Sequence, residues 1–143
     1  MSQIFDPASL LAAAHAAATH AYAPYSGFRV GAALLLDSGA IITGVNVENA
    51  SYGLTLCAER SALVRAIAEH GPQIRIRAVA IANLNQSPSP PCGACRQVLA
   101  EFCSAETPVA FAALSAATGS VQTCVCSFGE VFPYAFDLPS RAR

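Results

Sequence analysis

The spacing of apolar residues along the chain changes several times, and each change marks an element. Between Pro7 and about Ala21, the residues Leu10, Leu11, Ala14, Ala17, Ala18 and Ala21 recur at helical spacing. Asp6 reads as the cap of that helix and Pro7 as its first residue. Pro24 closes the segment, because the residue before a proline avoids the α region. Two short apolar runs follow, Phe28 to Leu36 and Ile41 to Val47, joined by the hairpin signal Asp37-Ser38-Gly39. Asn46 to Leu56 is small and polar and reads as a loop. Helical spacing returns from Cys57 to His70 through Ala58, Ala62, Leu63, Ala66 and Ile67, and Gly71-Pro72 ends it. Ala78 to Ala82 is a continuous apolar run, the pattern of a buried strand. A proline- and serine-rich loop, Asn83 to Pro91, leads into a further helix from Cys92 to Phe102, with Val98 and Leu99 inward. Pro108 to Leu114 and Val121 to Cys126 read as two strands around the turn Ala117-Thr118-Gly119-Ser120, with a short helix near Gly129 to Phe132. The order α-β-β-α-β-α-β-β predicts an α/β sandwich, helices covering a central five-stranded sheet, in one domain over residues 1–143.

Composition sharpens this picture. Of the 143 residues, 54 % are hydrophobic and 12 % charged, which is apolar for a soluble domain. Much of the excess is alanine. Either a large subunit interface or a broad alanine-rich core accounts for it. The net charge is −1 and there is no block of Lys or Arg. The run Arg75-Ile76-Arg77 alternates as the edge or solvent face of a strand would. Nucleic-acid surfaces carry a basic stripe, so a small substrate is favoured over duplex or tRNA. The N-terminus lacks the basic start of a signal peptide, and no run reaches the roughly 18–20 apolar residues of a membrane span. A cytoplasmic protein is expected, in which the six cysteines are thiols or metal ligands rather than disulfides.

Two cysteine clusters carry the candidate chemistry: Thr55-Leu56-Cys57-Ala58-Glu59-Arg60 and Pro91-Cys92-Gly93-Ala94-Cys95-Arg96. Each opens a predicted helix, where free N–H groups and the dipole favour thiolates. Cys92 and Cys95 fall on one side of a helical turn, and Cys57 adds a third sulfur from another helix. Three protein ligands leave zinc an open fourth position, as catalytic rather than structural sites do. Water bound there is acidic near neutral pH. Glu59 is badly offset for a fourth ligand but well placed to move that water's proton. Three thiolates leave a net negative charge on zinc, which Arg60 or Arg96 could offset at the ligand sulfurs. The alternative is a structural zinc site or a plain thiol pair, with Cys103, Cys124 or Cys126 as fourth donor. Glu59 beside the first ligand favours catalysis. His15 and His20 read as solvent-facing helix positions, His70 as a favourable partner of a helix C-terminus, and the other three cysteines as core thiols.

Cys57-Ala58-Glu59-Arg60 together with Pro91-Cys92-Gly93-Ala94-Cys95-Arg96-Gln97 resembles the short, homotetrameric, zinc-dependent cytidine deaminases, a class known for Cys₃ zinc sites and a non-ligand Glu. The resemblance extends through Ala23 to Leu34, through Gly44 to Tyr52, and to Pro133-Tyr134-Ala135-Phe136, with Val131-Phe132 where the family has two leucines. It implies a three-layer α/β/α sandwich with a mixed five-stranded sheet. It implies one Zn²⁺ per subunit on Cys57, Cys92 and Cys95, Glu59 as the catalytic acid–base, and backbone contacts to the base from Ala58 and Glu59. Phe28 would stack on the ring. Asn46 and Glu48, which share parity on an extended segment, would hold the ribose 3′-hydroxyl. Tyr52 and Phe136 would complete active sites of neighbouring subunits in a homotetramer. The implied reaction is hydrolytic deamination of cytidine and 2′-deoxycytidine in pyrimidine salvage, with a nucleoside as partner and neither nucleic acid nor membrane. A deaminase of another heterocycle, such as blasticidin S, is the alternative on the same fold; the intact Asn46 to Tyr52 segment argues against it. Read from the residues alone, Phe28 is a core side chain and Asn46-Val47-Glu48 an exposed strand end.

Overall fold

The computed structural model describes residues 5–138. Five strands, β1 (Val30–Leu36), β2 (Ile41–Val45), β3 (Ile76–Asn83), β4 (Pro108–Leu114) and β5 (Val121–Ser127), form one sheet in the order β2-β1-β3-β4-β5. β3 and β4 are parallel, and all other neighbours are antiparallel. A parallel pair needs a crossover, and the helix α3 (Gly93–Ala100) lies in it. The remaining helices are α1 (Pro7–Ala18), α2 (Ala58–His70) and the short α4 (Phe128–Val131).

Alternation along β1 explains the layering. Ala33 and Leu35 face α1 and pack with Leu10, Ala14, Ala78, Ala80 and Ala110. Ala32, Leu34 and Leu36 face the other way, into a larger cluster with Ala62, Leu63 and Ala66 of α2 and Leu99 of α3. Successive side chains of a strand point to opposite faces, so a strand covered on both sides is apolar throughout. The result is the mixed three-layer α/β/α sandwich. Many of the alanines lie in these clusters, so core packing absorbs part of the alanine excess.

Small residues set how closely the layers approach. A Cβ built on Gly31 would lie 1.9 Å from the carbonyl oxygen of Ala14 in α1. One on Gly44 would lie 2.2 Å from the backbone nitrogen of Ala62 in α2. Backbone cannot step aside as a flexible side chain does. Gly31→Ala and Gly44→Ala are each expected to cost about 1–3 kcal/mol through overpacking. The check is a lowered urea midpoint at unchanged slope; an unmoved midpoint would contradict the close approach.

Several boundaries differ from the sequence expectation. α1 starts as expected, with the Asp6 carboxylate accepting from Ala8 N at 3.1 Å and Ser9 N at 3.2 Å. It stops at Ala18, short of Ala21, because Tyr22 is drawn into a bridge with Val47 through Tyr22 N to Asn46 O at 3.0 Å and Glu48 N to Tyr22 O at 2.8 Å. β1 begins at Val30 instead of Phe28, and β2 ends at Val45 instead of Val47. The segment expected to be only a loop contains a 3₁₀ turn, Tyr52–Leu54. β3 is the middle strand, so Arg75-Ile76-Arg77 enters the centre of the sheet and not its edge; Ile76 is buried and Arg75 exposed.

Candidate metal centre and active site

Two helix N-termini converge. Cys57 is the N-cap of α2 and Cys92 the N-cap of α3, both with extended backbone. Reciprocal bonds between Val47 and Leu56, 2.9 Å each, fix the chain just before Cys57. The fully buried Pro91 anchors the chain just before Cys92. Cys95 N donates to Cys92 Sγ at 3.5 Å. The sulfurs of Cys57, Cys92 and Cys95 all lie within 4.8 Å of one another, with Cys57 and Cys92 3.8 Å apart. Tetrahedral zinc with Zn–S near 2.3 Å needs sulfurs about 3.8 Å apart, so the donor set fits zinc. Among the described residues no fourth His, Cys, Asp or Glu joins the cluster. Cys103, Cys124 and Cys126 lie apart from it, partly buried against the core.

Charge around the sulfurs is uneven. Hydrogen bonding from the Cys95 thiol, aided by Arg60 and Cys92, brings Cys57 down to about 5 against its burial. The same interaction, together with burial, pushes Cys95 up. Glu59 is only 5 % exposed, and burial raises its carboxyl above the ordinary range. Its Oε2 accepts from Cys95 Sγ at 3.4 Å. Arg60 Nη2 donates to Cys57 Sγ at 3.5 Å and to Thr55 O at 3.4 Å. Arg96, the other arginine considered for offsetting sulfur charge, is placed differently. Its Nε donates to Pro91 O and its Nη1 to Val131 O, both at 2.7 Å.

A cavity of about 280 Å³ opens over Cys57 and Cys92. Phe28, Asn46, Ala58 and Glu59 line it as well. Phe28 is half-buried here, not a core residue, and Asn46 and Glu48 are buried, not an exposed strand end. Asn46 Oδ1 accepts from Val30 N and its Nδ2 donates to Phe28 O, both at 2.8 Å. Glu48 accepts from Tyr25 N at 2.9 Å, from Ser26 N at 3.2 Å and from the Ser26 hydroxyl. The Ser26 hydroxyl, with those two N–H groups, holds the Glu48 carboxyl below its ordinary value. Both side chains therefore shape the 25–30 segment, and Glu48 is not part of the cavity wall. Tyr52 is 69 % and Phe136 68 % exposed, and neither lines this chain's cavity.

Sequence reasoning missed Thr55 and the wall formed by Pro88, Ser89 and Pro90. Asn83 Nδ2 holds that wall through Ser89 Oγ at 2.9 Å and Ser87 O at 2.7 Å. Two prolines flanking a serine just before a ligand turn were the available signal. His15, His20 and His70 are exposed, and none belongs to the cavity. Burial raises Cys103 to about 12 and Cys126 to about 11, as inert thiols require.

A pocket lined by two of three converging sulfurs, Cys57 and Cys92, with the third, Cys95, buried behind them and a buried carboxylate alongside, fits a metal-dependent hydrolytic site in a mixed α/β/α sandwich. Residues 6–111 match the family model for the cytidine and deoxycytidylate deaminase zinc-binding region, and the chain belongs to that family. It is 50 % identical over 116 residues to a cytidine deaminase of Halalkalibacterium halodurans, a match spanning 81 % of this chain and 83 % of that protein. Its fold is similar to the crystal structure of cytidine deaminase from Burkholderia pseudomallei, with a TM-score of 0.77 and 43 % identity over 92 % of this chain and all of that one. The Mycobacterium tuberculosis cytidine deaminase structure gives the same TM-score, 0.77, at 39 % identity, covering 94 % of this chain and 100 % of that one.

Proposed function

We propose that this chain deaminates cytidine and 2′-deoxycytidine hydrolytically, yielding uridine or 2′-deoxyuridine and ammonia, in cytoplasmic pyrimidine salvage. One observation carries the reading: a buried carboxylate, Glu59, sits beside a three-sulfur cluster at the floor of a cavity with an aromatic wall. Cys57, Cys92 and Cys95 would hold zinc, whose Lewis acidity would make water a nucleophile near neutral pH. Glu59 takes a proton from the attacking water and delivers it to ring N3. It then carries the second proton to the exocyclic nitrogen, so that a C4–O bond replaces C4–N and ammonia leaves. Arg60 withdraws charge from Cys57 Sγ. Phe28 stacks on the pyrimidine while the backbone of Ala58 and Glu59 reads its edge.

Asn46 and Glu48 orient the ribose 3′-hydroxyl. The amide of Asn46 keeps a second hydrogen and Glu48 keeps free lone pairs, so their bonds to the 25–30 segment leave capacity for the sugar. Asn46→Ala should raise KM about tenfold, since a lost hydrogen bond to substrate is worth about 1–1.5 kcal/mol. It should also destabilise the fold by about 1–3 kcal/mol, because Val30 N and Phe28 O lose their partner. Steady-state kinetics and urea unfolding check the two separately. A changed kcat with unchanged KM would contradict the role.

The assembly proposed is a homotetramer of single-domain chains whose active sites are shared. Exposed Tyr22, Tyr25, Tyr52 and Leu54 support it, with Tyr25 and Tyr52 edge to face at 6.1 Å, together with exposed Phe136. Apolar surface concentrated in this way marks an interaction site. Six unpaired cysteines support a reducing compartment. Among the described residues no helix is long and apolar enough to cross a membrane. A nucleoside, not nucleic acid, is the proposed partner, in keeping with the net charge of −1. The test is ammonia release from cytidine, 2′-deoxycytidine, cytosine, adenosine, CMP and blasticidin S. Turnover confined to the first two is expected. Turnover of blasticidin S without cytidine would overturn the substrate assignment.

A further inference from the structure

Arg96 lies one residue after Cys95, yet its guanidinium turns to two backbone carbonyls. Nε bonds Pro91 O and Nη1 bonds Val131 O, each at 2.7 Å. These carbonyls come from different parts of the chain. Pro91 directly precedes Cys92, and Val131 ends α4. The next residue of α3, Gln97, adds a second tie to the same C-terminal segment, from its Nε2 to Phe136 O at 3.0 Å.

The three sulfurs are not equally held. Cys95 is fully buried inside α3. Cys57 follows the Val47–Leu56 bridge and receives Arg60. Cys92 is exposed; its Sγ accepts from Cys95 N at 3.5 Å, and its backbone is set by the peptide that joins it to Pro91. That peptide's carbonyl is the one Arg96 holds. On the far side, α4 is itself fixed by a capping box. Ser127 Oγ accepts from Glu130 N at 3.3 Å, while Glu130 Oε2 accepts from Ser127 N at 2.7 Å. A continuous set of hydrogen bonds therefore runs from the α4 cap through Val131 O and Arg96 to Pro91 O and the Cys92 turn. A planar guanidinium can hold two carbonyls at a fixed separation; an ammonium on a flexible stem cannot.

We propose that Arg96 is a positioning residue that pins the Cys92 turn to α4 and so keeps the third sulfur in its metal-binding orientation. This rests on the reading that Cys57, Cys92 and Cys95 hold zinc. It assigns Arg96 a geometric task, where its place next to Cys95 suggested an electrostatic one, and lysine separates the two. Arg96→Lys keeps the charge and loses the fork.

The experiment measures zinc release from the full-length chain to a colorimetric chelator. Arg96→Lys is expected to release zinc about 10–100-fold faster, the usual cost of removing a group that orients a ligand. Ser127→Ala, which loosens α4 from a distance, should speed release in the otherwise unchanged chain and add nothing in the Arg96→Lys background. Gly31→Ala, which loosens α1 on the opposite face of the sheet, should lower the urea midpoint and leave zinc release unchanged. Wild-type release from Arg96→Lys would overturn the proposal and leave the metal reading intact. So would additive effects of Arg96→Lys and Ser127→Ala, or equal acceleration by Gly31→Ala. A wild-type chain that binds no zinc at all would remove the metal reading and this one with it.

Discussion

Replacing Glu59 with Gln should lower kcat for cytidine on the order of 10³–10⁴-fold while zinc content stays at one per chain. The size follows from the role proposed for the carboxylate. A positioned acid–base group contributes about 10²–10⁴ in rate, and in the proposed reaction one group serves water, ring N3 and the leaving nitrogen in turn. A loss of 10³–10⁴ corresponds to about 4–5.5 kcal/mol of transition-state stabilisation. Gln keeps the volume and an acceptor oxygen, so the packing of a side chain that is 5 % exposed should survive. It even relieves the cost of burying a carboxylate, whose charged form burial disfavours. Urea stability should therefore be unchanged or slightly higher, and KM should change far less than kcat. Near-normal turnover in this variant would remove Glu59 from the reaction.

Cys95→Ala should have a comparably large effect by a different route. Cys95 is the buried member of the sulfur trio, and its thiol also donates to Glu59 at 3.4 Å. Its loss leaves two sulfurs, too few to retain zinc against a mild chelator. Activity should fall by at least about 10³-fold, with zinc well below one per chain; removing the group that makes water reactive has an effect of that order or more. The chain should still fold. The main core, Leu34, Leu36, Val79, Ile81 and Val109 between sheet and helices, does not include the ligands. Far-UV circular dichroism should be retained, whereas added zinc should raise the melting temperature of the wild-type chain only. Metal analysis after dialysis checks the first point and thermal unfolding with and without zinc the second. Full zinc retention by Cys95→Ala would contradict the ligand assignment.

The order of elements was readable because periodicity is a local property. Asp6 and Pro7 announce α1, the Asp37 to Gly39 turn announces the first hairpin, and the apolar run around Ala78 to Ala82 marks a strand covered on both faces. The sulfur cluster was readable for the same reason, since two short motifs at helix starts carry it. What was hidden depends on bonds between distant segments. β1 begins late because Asn46 binds the backbone of Phe28 and Val30, sixteen to eighteen residues away, and Asn85 binds Arg29 N across fifty-six. The Pro88 to Pro90 wall is set by Asn83 and by Ser89 N donating to Ala112 O at 2.8 Å on a neighbouring strand. Arg96 shows the same limit most clearly. Its neighbour in sequence is a ligand sulfur, but its partner in space is a carbonyl thirty-five residues away. No local pattern foretells that pairing.

A zinc titration of the chain stripped of metal, followed by the conversion of cytidine to uridine with release of ammonia, tests the three-sulfur site directly. Activity should rise linearly and level off at one zinc per chain, and Cys57→Ala, Cys92→Ala and Cys95→Ala should each abolish the response. Full activity in the stripped chain, or an undiminished zinc response in any of the three variants, would contradict this.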